Sequence, residues 1–181
     1  TNSGDGPFGI LFDSQTDTAI VRNNRIHSLS GTGTIKAVNI RSTLSGGTNV
    51  SYIYNNFISL TPTGANTTVT GIEYAGANPT NATVLNNSVL IGGTLPSGGT
   101  AGNVVSSPFW RSSSNAGNSF IVENNLFKNT RSGGTAGVQH TAVAFTNTLG
   151  TISVNHNTYN GTAGSLARWG ATLYGDLATY Q

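Results

Sequence analysis

Short apolar bursts rich in β-branched and aromatic side chains recur along this chain between polar stretches: Ala19-Ile20-Val21, Tyr52-Ile53-Tyr54, Thr83-Val84-Leu85 and Phe120-Ile121-Val122. Each is too short for an amphipathic helix and is bounded by Gly, Asn, Ser and Thr, so the pattern predicts strands. After each burst come two Asn and a second short strand. The copies are Val21-Arg22-Asn23-Asn24-Arg25-Ile26, Ile53-Tyr54-Asn55-Asn56-Phe57-Ile58, Val84-Leu85-Asn86-Asn87-Ser88-Val89 and Val122-Glu123-Asn124-Asn125-Leu126-Phe127. A weaker fifth reads Val154-Asn155-His156-Asn157-Thr158-Tyr159. The second Asn falls at 24, 56, 87, 125 and 157, at intervals of 32, 31, 38 and 32 residues. A second motif keeps the same period out of phase: Gly9-Ile10-Leu11-Phe12, Ala37-Val38-Asn39-Ile40, Gly71-Ile72-Glu73-Tyr74, a degraded Ser107-Pro108-Phe109-Trp110, and Ala142-Val143-Ala144-Phe145.

A period of this length made only of strands and turns means a solenoid. Parallel strands need long crossovers, and here the crossover is itself strand. The reading is an all-β, right-handed parallel β-helix of about five coils, stacked at the ~4.8 Å strand spacing. It covers residues 1–165, and 166–181 form a non-repeat capping or docking segment. Asn tolerates left-handed backbone, so the pair fits a corner between two strands. A side-chain amide both donates and accepts, so Asn24, Asn56, Asn87, Asn125 and Asn157 are expected to stack as a structural ladder. Alternation places Val21, Asn23, Asn24 and Ile26 inward. The expected core columns are Val21/Ile53/Val84/Val122/Val154 and Ile26/Ile58/Val89/Phe127/Tyr159. Leu166, Trp169, Leu173, Leu177 and Tyr180 have helix-like spacing broken by Gly170 and Gly175, which reads as a short helix or loop over the last coil.

Composition sharpens this picture. Charged residues make up 8% of the chain, against about 25% in an average soluble domain. Disordered chains combine low hydrophobicity with high net charge; here the hydrophobic content is 36% and the net charge +2. The eight basic residues are scattered, so no nucleic-acid partner is expected. No apolar run reaches transmembrane length, so no membrane insertion is expected. The absence of Cys excludes disulfides and thiolate chemistry. It fits an extracellular or cell-surface protein.

The h-x-Asn-Asn-x-h repeat, with a Gly/Ala-Ile/Val-x-aromatic strand between copies, resembles the parallel β-helix repeats of pectate-lyase-like proteins. The last third is similar to a narrower type found in large secreted bacterial surface proteins. There, a run like Glu123 to Thr135 precedes an Ala-Val strand, and a tail like Leu166-Ala167-Arg168-Trp169 follows. The resemblance implies the fold and a place outside the cell. The calcium-binding Asp cluster and catalytic Arg or Lys of pectate lyases have no counterpart here.

Paired carboxylates, the requirement of glycoside hydrolysis, are hard to find. Of six acids, Glu73 aligns with Leu11, Asn39, Phe109 and Ala144, and Glu123 with Arg22, Tyr54, Leu85 and Asn155. Asp13 and Asp17, with Asp5 near, form the one acidic cluster and read as a solvated corner. His27, His140 and His156 fall at different phases, so no metal site is expected. No catalytic residue and no cofactor is expected, and the chain does not read as an enzyme. Tyr52, Tyr54, Phe57, Tyr74, Phe109, Trp110 and Trp169 are candidate outward aromatics, with Tyr54 and Trp110 the glycan contacts of choice. Asp17-Thr18-Ala19 resembles a bacterial O-glycosylation acceptor, with Thr18 the modified residue. The leading functional expectation is an extracellular structural module, a stacking unit of a surface adhesin or filament. Its partner would be itself, end to end or as flanking repeats. A glycan-binding adhesin and a polysaccharide lyase or hydrolase of phage-tailspike type stay open.

Overall fold

The computed structural model describes residues 5–13, 17–31, 33–41, 49–65, 67–76, 80–112, 119–146, 148, 150–162 and 165–176. The chain winds through five coils, each built on three strands. Coil 1 holds β1 (Asp5–Phe12), β2 (Thr18–Arg22) and β3 (Arg25–His27); coil 2 holds β4 (Thr34–Ile40), β5 (Asn49–Tyr54) and β6 (Phe57–Leu60). Coil 3 holds β7 (Thr68–Tyr74), β8 (Thr80–Leu85) and β9 (Ser88–Ile91). Coil 4 adds a short β10 (Thr94–Leu95) before β11 (Val104–Arg111), β12 (Ser119–Glu123) and β13 (Leu126–Asn129). Coil 5 adds β14 (Ser132–Gly133) and β15 (Gln139–His140) before β16 (Val143–Phe145), β17 (Thr151–Asn155) and β18 (Thr158–Asn160). The described part of the chain ends in β19 (Ala167–Trp169) and β20 (Thr172–Tyr174).

Like strands of successive coils pair in parallel and make three faces. Face A runs β1-β4-β7-β11-β16-β19, face B β2-β5-β8-β12-β17, and face C β3-β6-β9-β13-β18. The fold is an all-β, parallel β-helix-like solenoid. Both expected columns are present in register: Val21↔Ile53↔Val84↔Val122↔Val154 on face B and Ile26↔Ile58↔Val89↔Phe127↔Tyr159 on face C. They meet the face A residues Val38, Ile72, Phe109 and Val143 in one apolar core. The core is aliphatic in the early coils and aromatic in the later ones, where Phe109 lies 5.4 Å from Phe145 and Phe145 5.1 Å from Trp169.

Three sequence expectations are corrected. Asn23 does not point inward but lies exposed, because its left-handed backbone (φ 55°) turns the side chain out. On β11 the repeat is shifted by one residue: Trp110, not Phe109, sits beside Glu73, while Phe109 pairs with Ile72 and Val143. Arg111 thereby enters the column of Ile40, Tyr74 and Phe145. It fits there because its guanidinium is planar and lies 4.6 Å from the centre of the Phe120 ring, a cation–π contact that replaces aromatic packing. The third correction concerns the C-terminal segment, which forms no helix where it is described. Ala167, Arg168 and Trp169 continue face A against Val143, Ala144 and Phe145, and β20 turns back antiparallel on β19. The strand phase of this Leu-Ala-Arg-Trp tail overrides its helical spacing, because Ala167 and Trp169 find core columns already waiting. Leu177 and Tyr180 lie outside the described residues.

Candidate functional site

The Asn pair divides its work between two residues. The first member supplies the turn: Asn23, Asn55, Asn86 and Asn124 have φ of 54–56°, and His156 takes the same conformation in coil 5. The second member builds the ladder. Asn24 Nδ2 donates to Asn56 Oδ1 (3.0 Å), Asn56 to Asn87, Asn87 to Asn125 and Asn125 to Asn157 (2.9 Å each). The backbone N–H of each donor residue reaches the same oxygen, at 2.9–3.1 Å. From the second coil on, each Nδ2 also reaches a strand carbonyl one coil back, as Asn87 does to Ile53 (2.9 Å). Asn56, Asn87 and Asn125 are buried, so the ladder satisfies polar groups that would otherwise be stranded in the core.

A second polar cluster lies at the corner between faces C and A, in coils 4 and 5. Here two short strands pair, β10 in coil 4 and β14 in coil 5, and only β10 falls within the long 38-residue interval between Asn87 and Asn125. Asn129 occupies the column of Ile91 on face C, and Ser106 that of Ile35 and Val69 on face A. Asn129 Nδ2 donates to Ser106 Oγ (2.9 Å) and the Thr141 carbonyl (2.8 Å). Ser106 Oγ in turn meets His140 Nδ1 (2.8 Å), and His140 Nε2 meets the Gly133 carbonyl (3.0 Å). With Nε2 facing a carbonyl, Nε2 carries the proton and Ser106 donates to Nδ1. Burial pushes the His140 pKa down, and the nearby Arg131 charge adds to this, against the raising effect of the Gly133 bond. Arg131 is fully buried and donates Nη1 to the carbonyls of Pro62 and Gly92. Burial lowers its pKa also. The Ser–His pair is sealed from substrate, with Ser106 fully buried. Its geometry is that of a satisfied core network, and sequence phase alone could not show it.

The outer side of face A carries a cleft of about 510 Å³, bordered by Lys36, Glu73, Asn103, Trp110, Thr146 and Arg168. Lys36 Nζ pairs with Glu73 Oε2 at 2.8 Å, and Glu73 also accepts from Asn39 Nδ2 (3.3 Å) and Ser112 Oγ (2.6 Å). Trp110 is half-buried and its indole N–H points at Thr146 Oγ1 (3.4 Å). The carboxylate is thus fully engaged, with a Trp face beside it. This clustering was missed in the sequence because the one-residue shift on β11 hid the Glu73–Trp110 neighbourhood.

The other sequence candidates are scattered. Tyr54 is half-buried on face B, its hydroxyl accepting from Arg22 Nη1 (3.1 Å), so the two glycan candidates stand on different faces. Tyr74 and Phe109 are core residues, not outward aromatics, and Trp169 packs on Phe145. Tyr52 and Phe57 are exposed. Thr18 is exposed beside Asp17, with Oγ1 3.4 Å from its carboxylate. Asp13 and Asp17 are exposed, while Arg41 lies over the Phe8 ring at 5.3 Å. Among the described residues no three His, Cys, Asp or Glu gather as a metal site. The chain matches no protein-family profile, no curated protein and no solved structure.

Proposed function

We propose that this chain is an extracellular structural module, a stacking unit of a surface adhesin or filament. The observation that carries the reading is the unbroken five-rung ladder, coaxial with core columns that run from the first coil to the last. Solenoids of this kind gain stability from each neighbour interface, so their ends favour further coils. The buried polar groups are spent on stacking: both the Asn ladder and the Asn129–Ser106–His140 network join one coil to the next.

A second reading, a glycan-binding adhesin without catalysis, draws on the face A cleft. Trp110 offers a flat apolar surface, and Lys36, Asn103 and Arg168 bring polar groups to the cleft border, the combination that concave ligand sites use. A glycan array and a depolymerisation assay on neutral and acidic polysaccharides separate the readings. Silence in both supports the structural module. Saturable binding that Trp110→Ala abolishes replaces it with the second reading, and release of new chain ends overturns both.

A further inference from the structure

The ladder has a direction. In each of the four ladder bonds the earlier coil donates Nδ2 to the Oδ1 of the next, never the reverse. Two backbone bonds flank each rung with the same regularity. The first Asn of a pair donates its N–H to a carbonyl of the following coil, as Asn55 does to Leu85 (3.2 Å). The residue after the pair donates back to the second Asn, as Thr158 does to the Asn125 carbonyl (2.8 Å). Among the described residues coil 5 has no following B–C corner. The N–H groups of His156 and Asn157 and the Asn157 carbonyl therefore face the end of the solenoid without the partners their counterparts have in coils 1 to 4.

The apolar columns are uncovered at the same place. Val21, Ile53, Val84 and Val122 are each 2% exposed or less, whereas Val154 is only half-buried, and so are Ile152 and Tyr159. Face A differs. There β19 holds the sixth layer and β20 pairs along its outer edge. Among the described residues the end beyond coil 5 is therefore a step: raised on face A, open on faces B and C. A second copy cannot seat on it in register, because its β1 would need the place that β19 holds.

We propose that this notch receives a strand–Asn-Asn–strand corner from another β-helical module, a segment of the kind this chain itself repeats. The polarity fixes which atoms meet. The incoming segment supplies a strand carbonyl to the His156 N–H and a ladder Oδ1 to the Asn157 N–H and Nδ2. It donates the N–H after its Asn pair to the Asn157 carbonyl. Its inward Val or Ile covers Val154 and Tyr159. This is strand addition to a sheet edge, with main-chain bonds for affinity and the Asn for register. The inference rests on the structural reading above. A glycan-array hit would remove that reading, whereas failure of the experiment below removes this proposal alone.

The probe is a synthetic peptide with the sequence of residues 49–60, added to the intact chain and followed by amide hydrogen exchange. Exchange within Thr151–Asn160 is expected to slow by about tenfold at saturation, with β1 to β3 unchanged. The peptide carrying Asn56→Ala is expected to bind about tenfold more weakly. As a second readout, the same segment fused after Gln181 through a flexible linker raises Tm relative to its Asn56→Ala version. Unchanged exchange and Tm overturn the proposal, as does protection of β1 to β3 instead. Regular fibres formed by the chain alone also overturn it, since the second copy would then be the occupant.

Discussion

Two polar corners turn this chain. Between faces B and C the turn is made by one residue type in one conformation, repeated coil after coil. Between faces C and A, in coils 4 and 5, it is made by Ser106, Asn129, Arg131 and His140, and no two of them do the same thing. Both corners bury polar groups, but the ladder amides are all engaged while the Arg131 Nε and Nη2 have no hydrogen-bond partner among the described residues, and the two corners respond to change differently. In the ladder each amide serves two coils, so a loss spreads up and down the stack. In the C–A corner Ser106 links Asn129 to His140 within coils 4 and 5 and the chain of bonds goes no further along the stack, so a loss stays local, except where a charge is involved.

The most damaging change should be in mid-ladder. Asn87→Ala removes the acceptor of the Asn56 N–H and Nδ2 and the donor to the buried Ile53 carbonyl. Stranding several buried groups costs about 4 kcal/mol, read from urea unfolding. Asn24→Ala, at the end rung with no coil before it among the described residues, should cost about 1 kcal/mol. Equal losses at both positions would show that the rungs act independently. In the other corner, Arg131→Ala strands the Pro62 and Gly92 carbonyls and leaves a gap where the side chain packed. That should cost about 3 kcal/mol in the same assay.

Smaller effects test the turn itself. Asn55 is exposed and its role is its backbone conformation, φ 55°. Asn55→Ala should cost about 1 kcal/mol, whereas Asn55→Gly should lie within a few tenths of zero. The same pair of changes at Asn56 should be almost equally damaging, because there the side chain matters and the backbone does not. The smallest effect is a pH dependence confined to the C–A corner. His140 is held neutral, with its pKa below the ordinary 6.5. Below that value the unfolded chain takes up a proton that the folded chain resists, so stability falls as pH drops from about 6.5 toward the depressed folded value. Thermal unfolding between pH 7.5 and 5.5 should show this fall, and His140→Gln should flatten it.

The contrast also explains what could be read from residues alone. The ladder and both core columns were legible because each repeats one chemical type at one phase, and a repeated choice stands out in a single sequence. The C–A corner was not, since Asn129 and Ser106 replace aliphatic residues at phases where the other coils give no hint of polarity. Aligning aromatic with aromatic placed Phe109 beside Glu73, because nothing local says that Arg111 can hold an aromatic slot. The shared contact with Phe120 makes that possible, and it is visible only in three dimensions. The C-terminal tail misled for a related reason: leucine spacing describes a free helix, while the edge of β16 offered a strand partner.

The one-way ladder has an electrical consequence. Four successive amide-to-amide bonds, all pointing from coil 1 toward coil 5, align side-chain dipoles along the stacking axis much as peptide dipoles align in a helix. Hydrogens lead toward the C-terminal end and oxygens toward the N-terminal end. A chain with so few charges thus carries a sign along its length that comes from neutral side chains, and salt bridges need take no part in telling one end of the stack from the other.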